Sequence, residues 1–264
     1  ETGHINTHET GAIEATGHKV CPVLTKDGKL TPDLIRPVLD MHENEHWVDP
    51  RLVYVSNPTE VGTVYTKEEL EDLYAFCKRH DLYFYIDGAR LAAALAAKEE
   101  THLTFPDLPK LCDAFYIGGT KVGAMFGEAL VLVNENFKER FRFNMKQKGA
   151  ILAKGWFLGV QFEELFKNNL YIEAGAHSIA MMKPIKEAFE KAGIPLLCEA
   201  PTNQIFPIFP NALADEINKK YLTTFQCKPD KDHTCLRFCT SWATNENAVK
   251  DFVEDFEEMC NRLL

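Results

Sequence analysis

Two short stretches carry residue types that can do chemistry together: Asp87-Gly88-Ala89-Arg90, closing one apolar run, and Gly118-Gly119-Thr120-Lys121, following another. A carboxylate at the mouth of a strand can hold a heteroaromatic nitrogen protonated. A lysine behind a loop of small residues can reach an aldehyde and bond to it. Those are the two groups that pyridoxal phosphate chemistry requires. Taken alone, Asp87 serves equally well to cap the helix that follows it. Arg90, one helical turn later, can make a structural ion pair, or its guanidinium can grip a carboxylate with two parallel bonds. Thr120 offers a hydroxyl to a phosphate oxygen, but neither a G-x-G-x-x-G nor a Walker pattern accompanies the glycine pair.

Further candidates lie at both ends of the chain. His4 and His8 flank Asn6, and Glu9 follows. No H-E-x-x-H motif or third ligand is nearby, so no metal is expected, and His4 reads better as a ring-stacking group or a general base. Arg237 is a charge inside the apolar run Cys235-Leu236-Arg237-Phe238-Cys239. Buried and unpaired it would be costly, so it either reaches water at a sheet edge or meets an anion such as a substrate α-carboxylate. Asn203, entering the preceding strand, could line the same pocket. Lys146 and Lys148 read as solvated charges, with a phosphate contact across a subunit interface as the functional alternative.

These residues need elements to hold them. The run at 51–56 is β-branched and aromatic, and Asn57-Pro58 stops it. Thr66 and Glu69 form a capping box, and Leu70, Leu73, Tyr74 and Cys77 continue an apolar helical face. Residues 82–86, 114–117 and 129–133 read as further strands, with an Ala-rich helix over 89–98 and a short one at 108–111. Continuous apolar strands alternating with helices predict a mostly parallel α/β sheet with its chemistry at the strands' C-terminal ends. Residues 137–165 read as one long helical stretch, bent or broken near Gly149, Gly155 and Gly159. Another helix over 172–192 is expected to kink or restart at Pro184 and to end at Gly193. Strands at 204–208 and 236–240 and helices at 212–221 and 247–264 complete a smaller α+β unit. The expected division is 1–160 for the large domain and 161–264 for the small one.

The 264-residue length allows a full core, and 45% hydrophobic with 26% charged residues is ordinary for a globular protein. A net charge of −10 lacks the basic footprint of a nucleic-acid binder. No run approaches the roughly 20 apolar residues of a membrane span. The eight cysteines are scattered without a C-x-x-C pair, which reads as reduced thiols in a cytoplasmic protein.

Together these segments resemble the threonine aldolases of the β-eliminating lyase group, pyridoxal 5'-phosphate enzymes of fold type I. The likeness rests on residues 4–12 (His4 to Ala12), Ser56-Asn57-Pro58-Thr59-Glu60, Ile86-Asp87-Gly88-Ala89-Arg90-Leu91, the stretch around Lys121, Lys146-Gln147-Lys148-Gly149, Thr202-Asn203 and Leu236-Arg237-Phe238. It implies that Lys121 bonds the cofactor, Asp87 partners its pyridine nitrogen and His4 stacks on its ring. It implies that Arg90 and Arg237 hold the substrate carboxylate, and that Lys146 reaches a phosphate in a neighbouring subunit of a homodimer or homotetramer. The implied reaction cleaves L-threonine or L-allo-threonine to glycine and acetaldehyde; the rival is another β-elimination or a transamination on the same scaffold. Many family members carry a second active-site histidine where this chain has residues 57–60, so the catalytic base (His4, His8 or a bound water) stays open. The family also has an earlier segment with a Gly/Thr-rich phosphate cup, which is expected to precede residue 1.

Overall fold

The computed structural model describes residues 1–263. The N-terminal part holds short helix α1 (His4–Thr7) and α2 (Pro32–Met41). The sheet region then runs β1 (Leu52–Ser56), α3 (Lys67–Arg79), β2 (Tyr83–Asp87), α4 (Leu91–Ala96), α5 (Lys98–Thr101), α6 (Leu108–Leu111), β3 (Ala114–Ile117) and β4 (Ala129–Leu132). Helices α7 (Glu135–Lys138), α8 (Phe141–Gln147), α9 (Trp156–Phe166) and α10 (Leu170–Lys191) follow. The chain ends with β5 (Gln204–Ile205), β6 (Ile208–Pro210), α11 (Asn211–Lys220), β7 (Thr224–Cys227), β8 (His233–Cys239) and α12 (Glu246–Leu263).

The first sheet has the order β1-β2-β3-β4, with the first three strands parallel and β4 antiparallel to β3. Parallel pairing aligns the C-terminal ends of β1 and β2, so Ser56 stands beside Asp87. One face, with Val53, Val55, Phe84, Ile86, Phe115 and Ile117, packs into a core shared with α3, α4 and the start of α10. The other carries Tyr54, Tyr85 and Tyr116, with Tyr54 and Tyr85 stacked at 5.4 Å. Buried Asp113 ties the sheet's lower end together: it accepts from Lys78 Nζ at 2.8 Å, the Phe84 amide at 2.8 Å and Asn134 Nδ2 at 2.7 Å.

The second sheet runs β5-β8-β6, with β7 on the other side of β8. Its core centres on Phe189, fully buried and edge-to-face with Phe209, Phe238, Phe252 and Phe256. Helix α10 joins the two cores: Tyr171 belongs to the first and Met182 to the second.

Several expected boundaries move for identifiable reasons. The Thr66–Glu69 capping box forms as expected. The Ala-rich helix starts only at Leu91, because Arg90 is non-helical at φ −125°, ψ 34° and the Ala89 amide is taken by Asp87. The stretch 137–165 is not one helix. It breaks at Arg140, which is left-handed at φ 55°, and over residues 148–155, whereas Gly159 lies unbroken inside α9. Helix α10 continues past Pro184 as one element, so it does not restart there. Gly193 ends it as expected, with the Ile194 amide donating back to Phe189 O at 2.9 Å. The strand expected over 204–208 is two short ones, and β7 was not foreseen.

Candidate active site

The sheet's C-terminal edge concentrates the candidate residues. The backbones of the β2 and β3 exits are pressed together, with the Gly118 amide donating to Gly88 O at 2.9 Å. A side chain on Gly88 would meet Tyr116 O, and one on Gly118 would meet Ala89 O. Glycines therefore let Asp87 and the Lys121 loop leave the sheet side by side.

Asp87 is 5% exposed and heavily committed. One carboxylate oxygen accepts the Ala89 amide at 2.9 Å, the other accepts the Tyr54 hydroxyl, and the Tyr116 hydroxyl also bonds to this carboxylate. Burial, then the Asp87 charge, push both phenols well above their ordinary range, so they remain donors. The helix-cap reading of Asp87 holds in part, through Ala89, but two tyrosine donors exceed what a cap needs.

Lys121 sits in a short 3-10 turn at 120–122, with Tyr171 OH from α10 holding the loop at Gly118 O, 2.9 Å away. Desolvation, and next the Arg90 guanidinium, lower the pKa of the amine; the carboxylates of Glu60, Asp87 and Glu128 oppose them in that order. Lys121 and Thr120 beside it are both exposed. Glu128 also accepts the Gly119 amide.

The strand β1 exit completes one wall. Residues 57–65 are all buried except Glu60. The loop is tied by the Asn57 amide to Asp87 O (2.9 Å), the Tyr65 amide to Asn57 Oδ1 (3.1 Å) and the Thr59 amide to Thr63 O (2.8 Å). Thr202 Oγ1 donates to Gly62 O at 2.8 Å, which fastens the loop to the second sheet. Trp242, just beyond β8, stands against Gly123, two residues after Lys121. The second unit therefore touches both the 57–65 loop and the Lys121 loop.

Two side chains there have open hydrogen-bonding atoms. Asn203 is 7% exposed; its Nδ2 donates to Thr240 O at 2.6 Å while its Oδ1 has no partner. Arg237, in β8, has a buried Nε without a partner. It shares a strand face with Cys235, which packs with Val61 of the 57–65 loop. A half-buried arginine whose buried Nε–H has no partner among the described residues is ready for an anion.

Of the residues expected from sequence, Asp87, Arg90 and Lys121 form one electrostatic cluster, and Asn203 and Arg237 lie on the flanking unit. His4 makes its side-chain contacts elsewhere, stacking on His8 at 4.9 Å and pairing with Glu9. Lys146 is exposed on α8, with no bonded partner among the described residues. Tyr54, Tyr116, Glu60 and Glu128 were missed. The tyrosines had a signal: each falls on the same alternating face as Asp87. The donor set fits pyridoxal phosphate. A buried, donor-fixed carboxylate suits a pyridinium N–H, and an amine of lowered pKa suits an aldehyde.

A profile of the beta-eliminating lyase family matches residues 1–209. A low specificity L-threonine aldolase from Pseudomonas sp. (strain NCIMB 10558) is 30% identical over 266 residues, covering 97% of this chain and 73% of that relative. The corresponding Saccharomyces cerevisiae enzyme is 28% identical over 207 residues, covering 77% and 52%. Among solved structures, a threonine aldolase from Leishmania major superposes with a TM-score of 0.94 at 49% identity, covering 98% of this chain and 75% of that one. A putative L-allo-threonine aldolase from Listeria monocytogenes shares the fold at 19% identity and a TM-score of 0.70, covering 98% and 71%.

Proposed function

The chain belongs to the beta-eliminating lyase family, and from that premise we propose that it is a pyridoxal 5'-phosphate-dependent aldehyde-lyase that cleaves L-threonine and L-allo-threonine to glycine and acetaldehyde. The observation that carries the reading is the cluster of Lys121, its pKa lowered by desolvation and by Arg90, with the buried, donor-fixed Asp87 at the adjoining strand exit.

When bound, the cofactor supplies an aldehyde for an amine to bond and a cationic ring that takes up the electron pair released at Cα. Asp87, held by Tyr54, Tyr116 and the Ala89 amide, accepts a hydrogen bond from the ring N–H and keeps that proton in place. Lys121 offers an unprotonated amine at neutral pH more readily than a solvated lysine does, and later holds or delivers the proton at Cα. Arg237, through its open Nε–H, and Arg90 grip the α-carboxylate and set the rotation about N–Cα, so that the Cα–Cβ bond is the one aligned for cleavage. Asn203 Oδ1 lines the same wall as an acceptor. We assign His4 to stacking on the ring, and Thr120 and Lys146 to the phosphate.

Lys146 would act from a neighbouring copy, in a homodimer or homotetramer. Support for that assembly comes from exposed apolar side chains beside the Lys121 loop: Met125, Phe126, Trp156 and Phe157. We place the protein in the cytoplasm, a reading supported by its eight free cysteines. No helix among the described residues is long and apolar enough to cross a membrane.

The test is to incubate the full-length protein and cofactor with L-threonine and identify the products. Glycine with acetaldehyde is expected. A 2-oxo acid with ammonia would make the protein an eliminating enzyme, and an oxo acid with aminated cofactor a transaminase. Lys121→Ala should abolish the visible absorbance of the bound cofactor.

A further inference from the structure

Three carboxylates act on the Lys121 amine, and their hydrogen bonds separate their roles. Asp87 is held by an amide and two phenols. Glu128 is bound to the Gly119 amide. Glu60 has one partner, the Ser56 hydroxyl at 3.1 Å, and among the three its charge acts most strongly on the amine. No Glu60–Lys121 ion pair within 4.0 Å forms among the described residues; what sets Glu60 at the same strand mouth is the register, which puts Ser56 beside Asp87, and the Asn57 amide, which donates to Asp87 O at 2.9 Å.

The support under Glu60 is unusually stiff for a loop. Its neighbours from residue 57 to 65 are all buried, and Glu60 alone is not. The Thr59 and Thr63 hydroxyls bond each other at 2.7 Å, Thr63 Oγ1 donates to Asp27 O at 2.7 Å, and Thr202 pins Gly62. A solvated surface glutamate needs no such scaffold. A carboxylate that must hold one position opposite an amine does. His4, by contrast, is engaged with Glu9 and His8.

We infer that Glu60 is the general base of the retro-aldol step, taking the β-hydroxyl proton of a β-hydroxy-α-amino acid held between its carboxylate and Lys121. This rests on the threonine-cleaving reading. Glu60 removes the hydroxyl proton, and the O–H electron pair becomes the second C–O bond of the leaving aldehyde. The Cα–Cβ bond breaks, and its pair stays with the glycine fragment until a proton from the Lys121 ammonium restores Cα–H. Glu60 then releases its proton to water and Lys121 takes one back from water, so protons and charge balance over the cycle.

Glu60→Gln keeps the size and the Ser56 bond but removes the basic oxygen. Two measurements test it against the full-length wild type. In the loaded enzyme, threonine cleavage should fall by roughly 10²–10⁴-fold. Exchange of the glycine α-proton with solvent deuterium, which involves no β-hydroxyl, should stay within a few-fold of wild type. In cofactor-free protein, the 13C-dimethyl resonance of Lys121, assigned by its loss in Lys121→Arg, should titrate at lower pH in Glu60→Gln, because the anion that raises the amine's pKa is gone. Cleavage within a few-fold of wild type, equal loss of cleavage and exchange, or an unmoved Lys121 titration would each overturn the assignment. If wild type releases no acetaldehyde, the parent reading fails instead, and the cofactor-free titration still reports whether Glu60 faces the amine.

Discussion

Gly62→Ala is the sharpest probe of the loop that carries Glu60. Gly62 lies at φ +86°, and a Cβ there would stand 2.5 Å from Gln204 O and 3.0 Å from the Ala200 Cβ. A left-handed alanine costs about 1–2 kcal/mol. Real Cβ contacts essentially never fall below 3.0 Å, so loop or sheet must give by at least about 0.5 Å, an overpacking cost of about 1–3 kcal/mol. The Thr202 bond to Gly62 O is stretched with it, a further cost of about 1 kcal/mol. Partial relaxation shares these terms, which puts the expected loss at about 3–5 kcal/mol, against a total stability of roughly 5–15 kcal/mol for a typical domain. The variant should still fold, but with Glu60 displaced. Urea unfolding followed by circular dichroism measures the first effect, and threonine cleavage per folded molecule, down about 10- to 100-fold, measures the second. Gly159→Ala is the control: it sits inside α9 with nothing within 4 Å of the added Cβ and should gain about 0.5–1 kcal/mol. A Gly62→Ala protein that unfolds within about 0.5 kcal/mol of wild type would mean that the loop is not seated against the second sheet, and the rigidity argued for Glu60 would go with it.

Charges in the first unit carry three further predictions. Arg90→Met removes the second-largest influence depressing the Lys121 pKa, so in cofactor-free protein the amine should titrate at higher pH than in wild type; no change would separate Arg90 from the site. The linkage has a definite sign. With its folded pKa below the unfolded one, Lys121 binds fewer protons when folded, so it weakens the fold at neutral pH and the penalty fades as pH rises toward 10.5. Lys121→Met should therefore stabilise the cofactor-free protein at pH 7 and not at pH 11, as read by urea midpoints. Asp113→Ala orphans the Phe84 amide and frees Lys78 and Asn134, and should cost about 2–4 kcal/mol. An Asp113→Ala protein as stable as wild type would show that water replaces the carboxylate at the sheet's lower end.

What could be read from the sequence was what a strand end announces locally. Asp87 and Lys121 each follow an apolar run, and small residues accompany both, so their placement at a strand mouth needed no knowledge of distant partners. The Thr66 capping box was equally local. The antiparallel sense of β4 was hidden because residues 129–133 are as continuously apolar as a parallel strand. Strand β7 was invisible for the opposite reason: Thr224, Phe225 and Gln226 are exposed and carry no burial pattern. Pro184 does not restart the helix, because the bond lost with its missing amide is offset by packing of α10 into both cores. Glu60 was half readable: the resemblance puts residues 57–60 where many family members carry an active-site histidine, but gave Glu60 itself no role. Its loop is fixed by Asp27, Asp87, Thr202 and Gln204, and nothing in Ser56-Asn57-Pro58-Thr59-Glu60 states that those residues will meet there.

The charge inventory gives the arrangement a direction. Lys121, Arg90 and Arg237 stand against Asp87, Glu60 and Glu128, so the protein alone is close to neutral around the cleft. On the proposed reading, a phosphate-bearing cofactor bonded to Lys121 would bring anionic charge and remove the amine as a free cation, and an α-amino acid would follow with its carboxylate and ammonium together. The first of these steps would leave the site more negative and a better acceptor of a proton. Such a proton cannot settle easily on Asp87, whose oxygens already accept from three donors, or on Glu128, which accepts a backbone amide. Glu60, with a single hydroxyl that can turn and accept in its place, keeps an oxygen free to receive it. With Glu60 as the base, as proposed, the lone donor on its carboxylate would decide where the proton goes.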